Sequence, residues 1–370
     1  VILTSSDHPE AYDVEVLERA VPAGLDYLKV GIWTQALRQA LDGLEPEQFL
    51  CIAGSLHLVA RAREFFDLPH EREGISEEVP LESLTCIAMA SQRGGFECQR
   101  ASDNDNVFVV KTQERPLYFL RNKHPFNDYV SARLAEDKGY QFELLTRSGL
   151  PTPMTEQIFN PFADDRFNRY KNHQSVDDAV DDVEARFSYP VVVKRYRSSV
   201  SQGVFLESDS ASLRTRMQML FENSGYLDNI LLIQSYVGGP EYRVVASQGE
   251  LLLAYEKQCD EGISTDDLNP LHQTTGRAVK VRAPELLNTM EELTRRVSEV
   301  IDLGFYAIDL IDGADGFSIL ELNPNPFCYF YNRDNGREDF VSIYEFLLDK
   351  YIGRRAGTPP SFASFARNTG

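Results

Sequence analysis

Phe305-Tyr-Ala-Ile-Asp-Leu-Ile311 and Phe317-Ser-Ile-Leu-Glu-Leu322, separated by Gly313-Ala-Asp-Gly316 and followed by Asn323-Pro-Asn-Pro326, decide how this chain is read. Each apolar run is long enough for a β-strand, and the short glycine turn makes the two strands antiparallel neighbours. Each also carries one lone carboxylate, Asp309 or Glu321. A buried carboxylate is costly unless a cation or hydrogen bonds hold it, so both are expected to point into one polar cleft. The pairing sets position 309 opposite 320 or 321, depending on register, and Asn323 follows Glu321 on the same strand face. Two carboxylates and an amide oxygen are hard donors that suit a divalent ion such as Mg²⁺, with phosphate oxygens completing its shell. The plain alternative is two edge residues facing water.

Working outward, Val191-Val-Val-Lys194 ends a strand on an ammonium group, and Arg195-Tyr-Arg-Ser-Ser-Val-Ser-Gln-Gly203 follows it. A loop rich in hydroxyls and closing on glycine can turn N–H and O–H groups onto phosphate oxygens, although surface turns share that composition. Lys138, on a helix ahead of Pro151, is a candidate second phosphate contact or a solvated helix lysine. Ile230-Leu-Leu-Ile-Gln-Ser-Tyr-Val-Gly-Gly-Pro-Glu-Tyr-Arg243 runs an apolar strand into a Gly-Gly-Pro hinge. A strand edge can hydrogen-bond a purine through its backbone, and Glu241 can take ribose hydroxyls; two strands joined by a turn is the bland reading.

The rest of the chain reads as alternating helix and strand. Within 1–125, Phe49-Leu-Cys-Ile-Ala53 is an expected strand, and Gly54-Ser55 leads into an expected helix to about Phe66. Without GxGxxG or a P-loop, that corner is read as structural. Val107–Val110 and Leu117–Leu120 form an expected hairpin. One helix is expected from Asp128 to Arg147, with Val130, Leu134, Tyr140, Leu144 and Leu145 inward and Gly149-Leu-Pro151 as its stop. Ser175 caps a helix to Phe187, buried through Val176, Val180, Val183 and Phe187; its Asp177–Glu184 acids form a solvated face. Strands at 242–246 and 250–255 flank Gln248-Gly249, a helix spans about Ala283 to Ile301, and a last helix ends near Tyr351.

At 370 residues the chain has room for two or three domains. Its 37 Lys and Arg against 57 Asp and Glu leave a net charge of −20, which disfavours nucleic acid and anionic membranes as partners. Five scattered cysteines predict no disulfide framework, and six histidines without HxH or HxxxH spacing predict no zinc site. No apolar run approaches a membrane span, and the start (Val1-Ile-Leu-Thr) lacks a signal-peptide pattern, so a cytoplasmic protein is expected. The missing initiator Met is taken to reflect trimming or disorder.

In this order the segments resemble the ATP-grasp superfamily, from about Asn127 to Tyr351. The resemblance rests on Leu134-Ala-Glu-Asp-Lys138, Gly149-Leu-Pro-Thr-Pro153, Tyr189-Pro-Val-Val-Val-Lys194, the Ser/Gly loop, Gly239-Pro-Glu-Tyr-Arg243, Ala307-Ile-Asp309 and Ile319-Leu-Glu-Leu-Asn-Pro-Asn-Pro326. It is nearest in kind to the carboxylate–amine ligases around cyanophycin synthetase, glutathione synthetase and D-alanine–D-alanine ligase. The implied fold is α/β (α+β). It has an N-terminal α/β domain (1–126) and an ATP-grasp domain (127–353) with a mobile lid at about 152–236 and a C-terminal ATP/Mg-binding part. A mobile tail (354–370) follows.

The resemblance also implies roles. Lys138 and Lys194 would hold ATP phosphates, with Ser198, Ser199, Ser201 and Gly203 in the closing loop. Gln234, Tyr236 and Val237 would form the adenine hinge, where Gln234 replaces a common glutamate and offers an amide oxygen to the adenine amino group. Glu241 would take the ribose. Asp309, Glu321 and Asn323 would hold two Mg²⁺ ions, with Mn²⁺ as a tolerated substitute, and Arg277 would meet the transferred phosphate. Arg243, Asn325, Arg333 and Arg337 are substrate-side candidates; Arg333 and Arg337, near the metal strand, could anchor a substrate carboxylate or equally form surface salt bridges. The implied reaction activates a small carboxylate as an acylphosphate and passes it to an amine, giving ADP and phosphate. A small-metabolite kinase and a regulatory ATP-binding module are the rival readings. Partners would be small molecules, with a homodimer as the allowed assembly.

Overall fold

The computed structural model describes residues 1–352 apart from 6–11, 23, 46, 54–57, 60–61, 64–77, 104, 113–114, 197–202, 223–228, 261–264 and 266–267. The chain divides into two compact units, Val1–Ser76 and Glu77–Gly370. In the first, β1 (Ile2–Ser5) pairs in parallel with β2 (Leu28–Ile32), beside helices α1 (Val14–Glu18) and α2 (Trp33–Asp42). The strand expected at Phe49–Ala53 does not form: the run finds no partner among the described residues, and Phe49 is 87% exposed. Most of the helix expected after Gly54 lies outside the described residues.

The second unit opens with helix α3 (Glu78–Gly94) and an antiparallel sheet of β3 (Glu97–Arg100), β4 (Val107–Lys111) and β5 (Leu117–Leu120), which includes the expected hairpin. Leu84, Ile87 and Phe119 share one buried core with Phe340, Tyr344 and Leu347 of the final helix. The expected boundary at 126–127 therefore falls inside this unit.

The single helix expected at 128–147 is two: α4 (Tyr129–Glu136) and α5 (Lys138–Arg147). Asp137 breaks it, with φ −85° and ψ 100°, and its carboxylate accepts from the Tyr140 N–H at 3.0 Å, so one residue ends α4 and caps α5. The Tyr196 hydroxyl also donates to Asp137. The break undoes part of the expected inward stripe: Leu145 is buried and Leu144 packs against the same core as expected, but Val130 and Tyr140 are exposed and Ala135 is buried instead.

A four-stranded antiparallel sheet, ordered β6 (Thr155–Phe159), β9 (Ile230–Ser235), β7 (Val191–Arg195), β8 (Val204–Glu207), fills the expected lid region with helices α6 (Val176–Arg186) and α7 (Ser210–Glu222). Ser175 caps α6 through the Asp178 N–H at 3.1 Å. Val176, Val180, Val183 and Phe187 pack onto Val191, Val193 and Ile233 in a core confined to this sheet and its helices.

The remaining sheet has five antiparallel strands in the order β12 (Arg277–Lys280), β11 (Glu250–Gln258), β10 (Glu241–Ser247), β13 (Tyr306–Gly313), β14 (Gly316–Asn323). The two-residue strand period sorts its faces. Val244, Ala246, Ile308 and Leu310 bury against helix α8 (Pro284–Ser298). Val245, Leu253 and Tyr255, on the other face, share the core of α3, α9 (Tyr329–Asn335) and α10 (Glu338–Ile352). Toward the far end that second face turns polar, with Glu241, Arg243, Lys257, Asp309 and Glu321.

Two one-residue bulges set this arrangement. Counted back from the turn, Gly313↔Gly316 and Leu310↔Ile319 would put Asp309 opposite Leu320; the extra residue makes it Asp309↔Glu321. In the β10–β11 hairpin a shift between Val245 and Ala246 likewise makes Lys257, not Glu256, the partner of Glu241. A bulge re-aims side chains beyond it. Here both bulges aim charged groups at the same face.

Candidate functional site

A cavity of about 660 Å³ opens between the four-stranded and five-stranded sheets. One wall carries Val192, Lys194, Val204, Leu206 and Gln234; the opposite wall carries Glu241, Lys257, Asp309, Ile311, Leu320 and Glu321. Tyr236, Val237, Gly239 and Pro240 cross between them. Alternation explains the first wall: Val192 and Lys194 share a strand face, and Gln234 is the direct neighbour of Val192 in the ladder. Branched apolar side chains thus face each other across a slot with Gln234 along it and ionised groups beyond.

The charged part is a cross-strand row. Arg243, Asp309 and Glu321 are successive partners across β10, β13 and β14. The Arg243 guanidinium grips Asp309 with two hydrogen bonds, at 2.6 and 2.7 Å. The Lys257 ammonium lies 3.2 Å from the same carboxylate and also pairs with Glu241. Burial opposes ionisation of Asp309, but Arg243 and then Lys257 outweigh it and hold its pKa well below the usual carboxylate range. Burial likewise works against the Lys257 ammonium, yet Asp309 and Glu241 leave its pKa above the ordinary value.

Lys194 is held differently. It is 8% exposed, and burial lowers its pKa to about 8, with Glu321 opposing that shift and Lys138 reinforcing it. At neutral pH it is an ammonium group facing the carboxylates, and it lies 5.8 Å from the centre of the Phe142 ring. Lys138 is buried in the first turn of α5, where the break at Asp137 places it.

Of the residues singled out in the sequence, Lys194, Gln234, Tyr236, Val237, Glu241, Asp309 and Glu321 line the cavity. Asn323 shares the strand face of Glu321, and its side-chain oxygen accepts the Asn325 N–H at 2.9 Å. Gly203 closes the β7–β8 loop with φ +75°, and its carbonyl accepts the Arg195 N–H. Ser198, Ser199 and Ser201 lie outside the described residues.

The other arginines stand apart from the cavity wall. Arg277 pairs with Asp260 at 2.7 and 3.0 Å; Asp260 itself lines the cavity, so Arg277 sits one residue back from its rim. Arg333 binds Asp334 and the Gly276 carbonyl, and Arg337 grips Glu82 at 2.7 and 2.9 Å. Asn325 donates to Glu136 at 3.0 Å. The Arg243 guanidinium is engaged by Asp309 and is not among the residues that line the cavity. Lys257 was not singled out in the sequence, because a straight hairpin count from Gln248-Gly249 turns it away from Glu241.

Among the described residues no helix is long and apolar enough to cross a membrane. A probable alpha-L-glutamate ligase of Vibrio cholerae is 23% identical over 267 residues, covering 71% of this chain and 80% of that protein. The ribosomal protein bS6–L-glutamate ligase of Shigella boydii is 23% identical over 210 residues, covering 56% of this chain and 61% of that protein. Among solved structures, D-alanine–D-alanine ligase from Bacillus anthracis complexed with ATP is similar with a TM-score of 0.44 and 16% identity, covering 66% of this chain and 72% of that one. A RimK-like ATP-grasp domain matches residues 135–343, more than half of the chain and the whole of both cavity walls. The chain therefore belongs to the RimK-like ATP-grasp family, and it is an ATP-dependent ligase that joins a carboxylate to an amine.

Proposed function

We propose that this ligase activates a small-molecule carboxylate as an acylphosphate and transfers the acyl group to the amine of an amino acid. The observation that carries the reading is the placement of Lys194 on the same cavity as the Asp309–Glu321 pair. The apolar slot takes the purine of ATP, with Gln234, Tyr236 and Val237 along its edge and Glu241 toward the ribose. Lys194 and Lys138 meet the phosphates, with Gly203 at the end of the loop that follows Lys194 and Arg277 one residue behind the rim. The relatives named as glutamate ligases support an amino acid as the amine.

The donor set suits Mg²⁺. Asp309, Glu321 and Asn323 offer hard oxygens from adjacent strand positions, and Glu321 makes no ion pair among the described residues. These three residues would hold the ions; Mg²⁺ supplies charge neutralisation of the phosphates during transfer. The chain's own residues do the rest. Lys194, buried and protonated at neutral pH, stabilises the charge that develops as a substrate carboxylate oxygen bonds to the γ-phosphorus and the bond to the β-phosphate oxygen breaks. Arg243 and Lys257 keep Asp309 ionised and fixed. The amine nitrogen then bonds to the acyl carbon, the carbon–oxygen bond to phosphate breaks, and a proton leaves the nitrogen. Apolar walls exclude water, which would otherwise hydrolyse the acylphosphate.

The test is an ADP-release screen of amino acids and small carboxylates in pairs, with mass detection of products. Amine-dependent ADP release with an amide product is expected. ADP release with a stable phosphorylated product and no amine dependence would overturn the reading.

A further inference from the structure

Gln234 presents an ambiguous group to the cavity. Its amide can offer an oxygen, which accepts from an amine, or an NH₂, which donates to a carbonyl. The two choices select opposite purines: an exocyclic 6-amine for the first, a 6-carbonyl for the second. Something must fix the choice.

Thr155 is the direct cross-strand partner of Gln234 in the β6–β9 ladder, so the two side chains share a sheet face. The Thr155 hydroxyl lies 2.9 Å from the Pro153 carbonyl oxygen. A carbonyl only accepts, so in this contact the Thr155 hydroxyl donates its single proton to Pro153. Its oxygen is left with lone pairs alone, and the Gln234 side chain meets it at 2.9 Å. Only the Gln234 NH₂ can make that contact. With its nitrogen tied to Thr155, the Gln234 side chain makes no other hydrogen bond among the described residues, and it lines the cavity.

We propose that Thr155 is the positioning residue for nucleotide choice: the relay Pro153 carbonyl, Thr155 hydroxyl, Gln234 NH₂ turns the Gln234 oxygen to the ligand and selects a purine bearing a 6-amine over one bearing a 6-carbonyl. The relay rests on the reading above that the purine edge lies against Gln234. Reversing the amide would make Gln234 Oε1 and the Pro153 carbonyl compete for the one Thr155 proton, leaving one acceptor without a donor in a site that is 1% exposed at Gln234. An unsatisfied buried acceptor is strongly disfavoured, so the orientation is held without any contact between Thr155 and the nucleotide.

ATP and inosine triphosphate make the cleanest probes, because they differ at the C6 group and the adjoining N1 proton while keeping one shape. Titration calorimetry on the full chain gives the ratio of their dissociation constants without any acceptor substrate. Thr155→Val keeps the shape and removes the acceptor, freeing the amide to turn. The wild-type protein should prefer ATP; in Thr155→Val that preference should fall at least about tenfold, with part of the change appearing as tighter inosine triphosphate binding. Thr155→Ser should restore it. Should Thr155→Val fail to fold by circular dichroism, Thr155→Ala reads the same ratio. An unchanged ratio in Thr155→Val, together with a shifted ratio in Gln234→Leu, would overturn the relay and leave the purine placement standing. Unchanged ratios in both variants would overturn the placement itself.

Discussion

Asp309 and Glu321 face each other directly across β13 and β14, yet their surroundings differ: Asp309 is gripped by Arg243 and Lys257, whereas Glu321 makes no ion pair among the described residues. One carboxylate is held in place from behind, and the other is left for a ligand. The asymmetry gives different expectations for the two residues and their neighbours.

Removing Glu321's charge should affect chemistry and spare the fold. Glu321→Gln is expected to abolish amine-dependent ADP release while the thermal midpoint stays within a few degrees of wild type. A variant with wild-type turnover would remove Glu321 from the metal set.

Arg243→Met should do the reverse and strike stability first. Loss of one member of a buried pair leaves the other carboxylate under-compensated, at a cost of about 3–5 kcal/mol, toward the low end here because Lys257 remains. Urea unfolding at neutral pH measures it. The folded-state pKa of Asp309 is depressed, so its contribution is present above the unfolded value of about 4 and is lost as pH falls below it. The gap between wild type and variant should therefore narrow in acid.

Lys194 gives a pH signature of opposite sense. Burial lowers its folded pKa from 10.5 to about 8, so between those values the unfolded chain binds the extra proton and this group's contribution to stability rises with pH. Below about pH 8 the charged, buried form persists and that contribution stays unfavourable. ATP affinity should move the other way, weakening as pH rises through about 8. Lys194→Arg stays charged and should flatten the profile; a wild-type profile flat from pH 7 to 9.5 would count against a phosphate role.

Gly239 tests the crossing between the walls. It has φ +151°, and a Cβ there would sit 1.9 Å from the Asp312 carbonyl oxygen. Since Asp312 is itself bonded to the Pro240 carbonyl, the backbone cannot retreat easily. Gly239→Ala should cost about 1–3 kcal/mol in urea unfolding and weaken ATP binding as well. Unchanged stability would show that the hinge has more room than its contacts imply.

Much of this was legible in the sequence where a local rule and the fold agreed. The Ser175 cap, the Val176–Phe187 stripe and the β13–β14 hairpin follow from spacing alone. Local rules failed where one residue changes the count. Asp137 reads as one more polar position on a long helix, but with its carboxylate capping the Tyr140 N–H it splits that helix in two. Lys257 was missed, and the Asp309 register left open, because a bulge adds a residue without marking it in the composition. The run at Phe49 has strand-like composition without a partner, and composition cannot supply one.

The separate hydrophobic core of the four-stranded sheet has a consequence for motion. Its buried side chains belong to that sheet and to α6 and α7, so it can hold its shape while the hydrogen bonds along the cavity seam open and reform. Amide exchange should then reveal two cooperative blocks with different protection, meeting near Tyr236–Pro240, and nucleotide should slow exchange on both sides of that junction at once. In mechanical terms the proposed nucleotide cavity lies between two sheets with separate cores, so its width is expected to depend on the few residues that cross between them as much as on the side chains that line it.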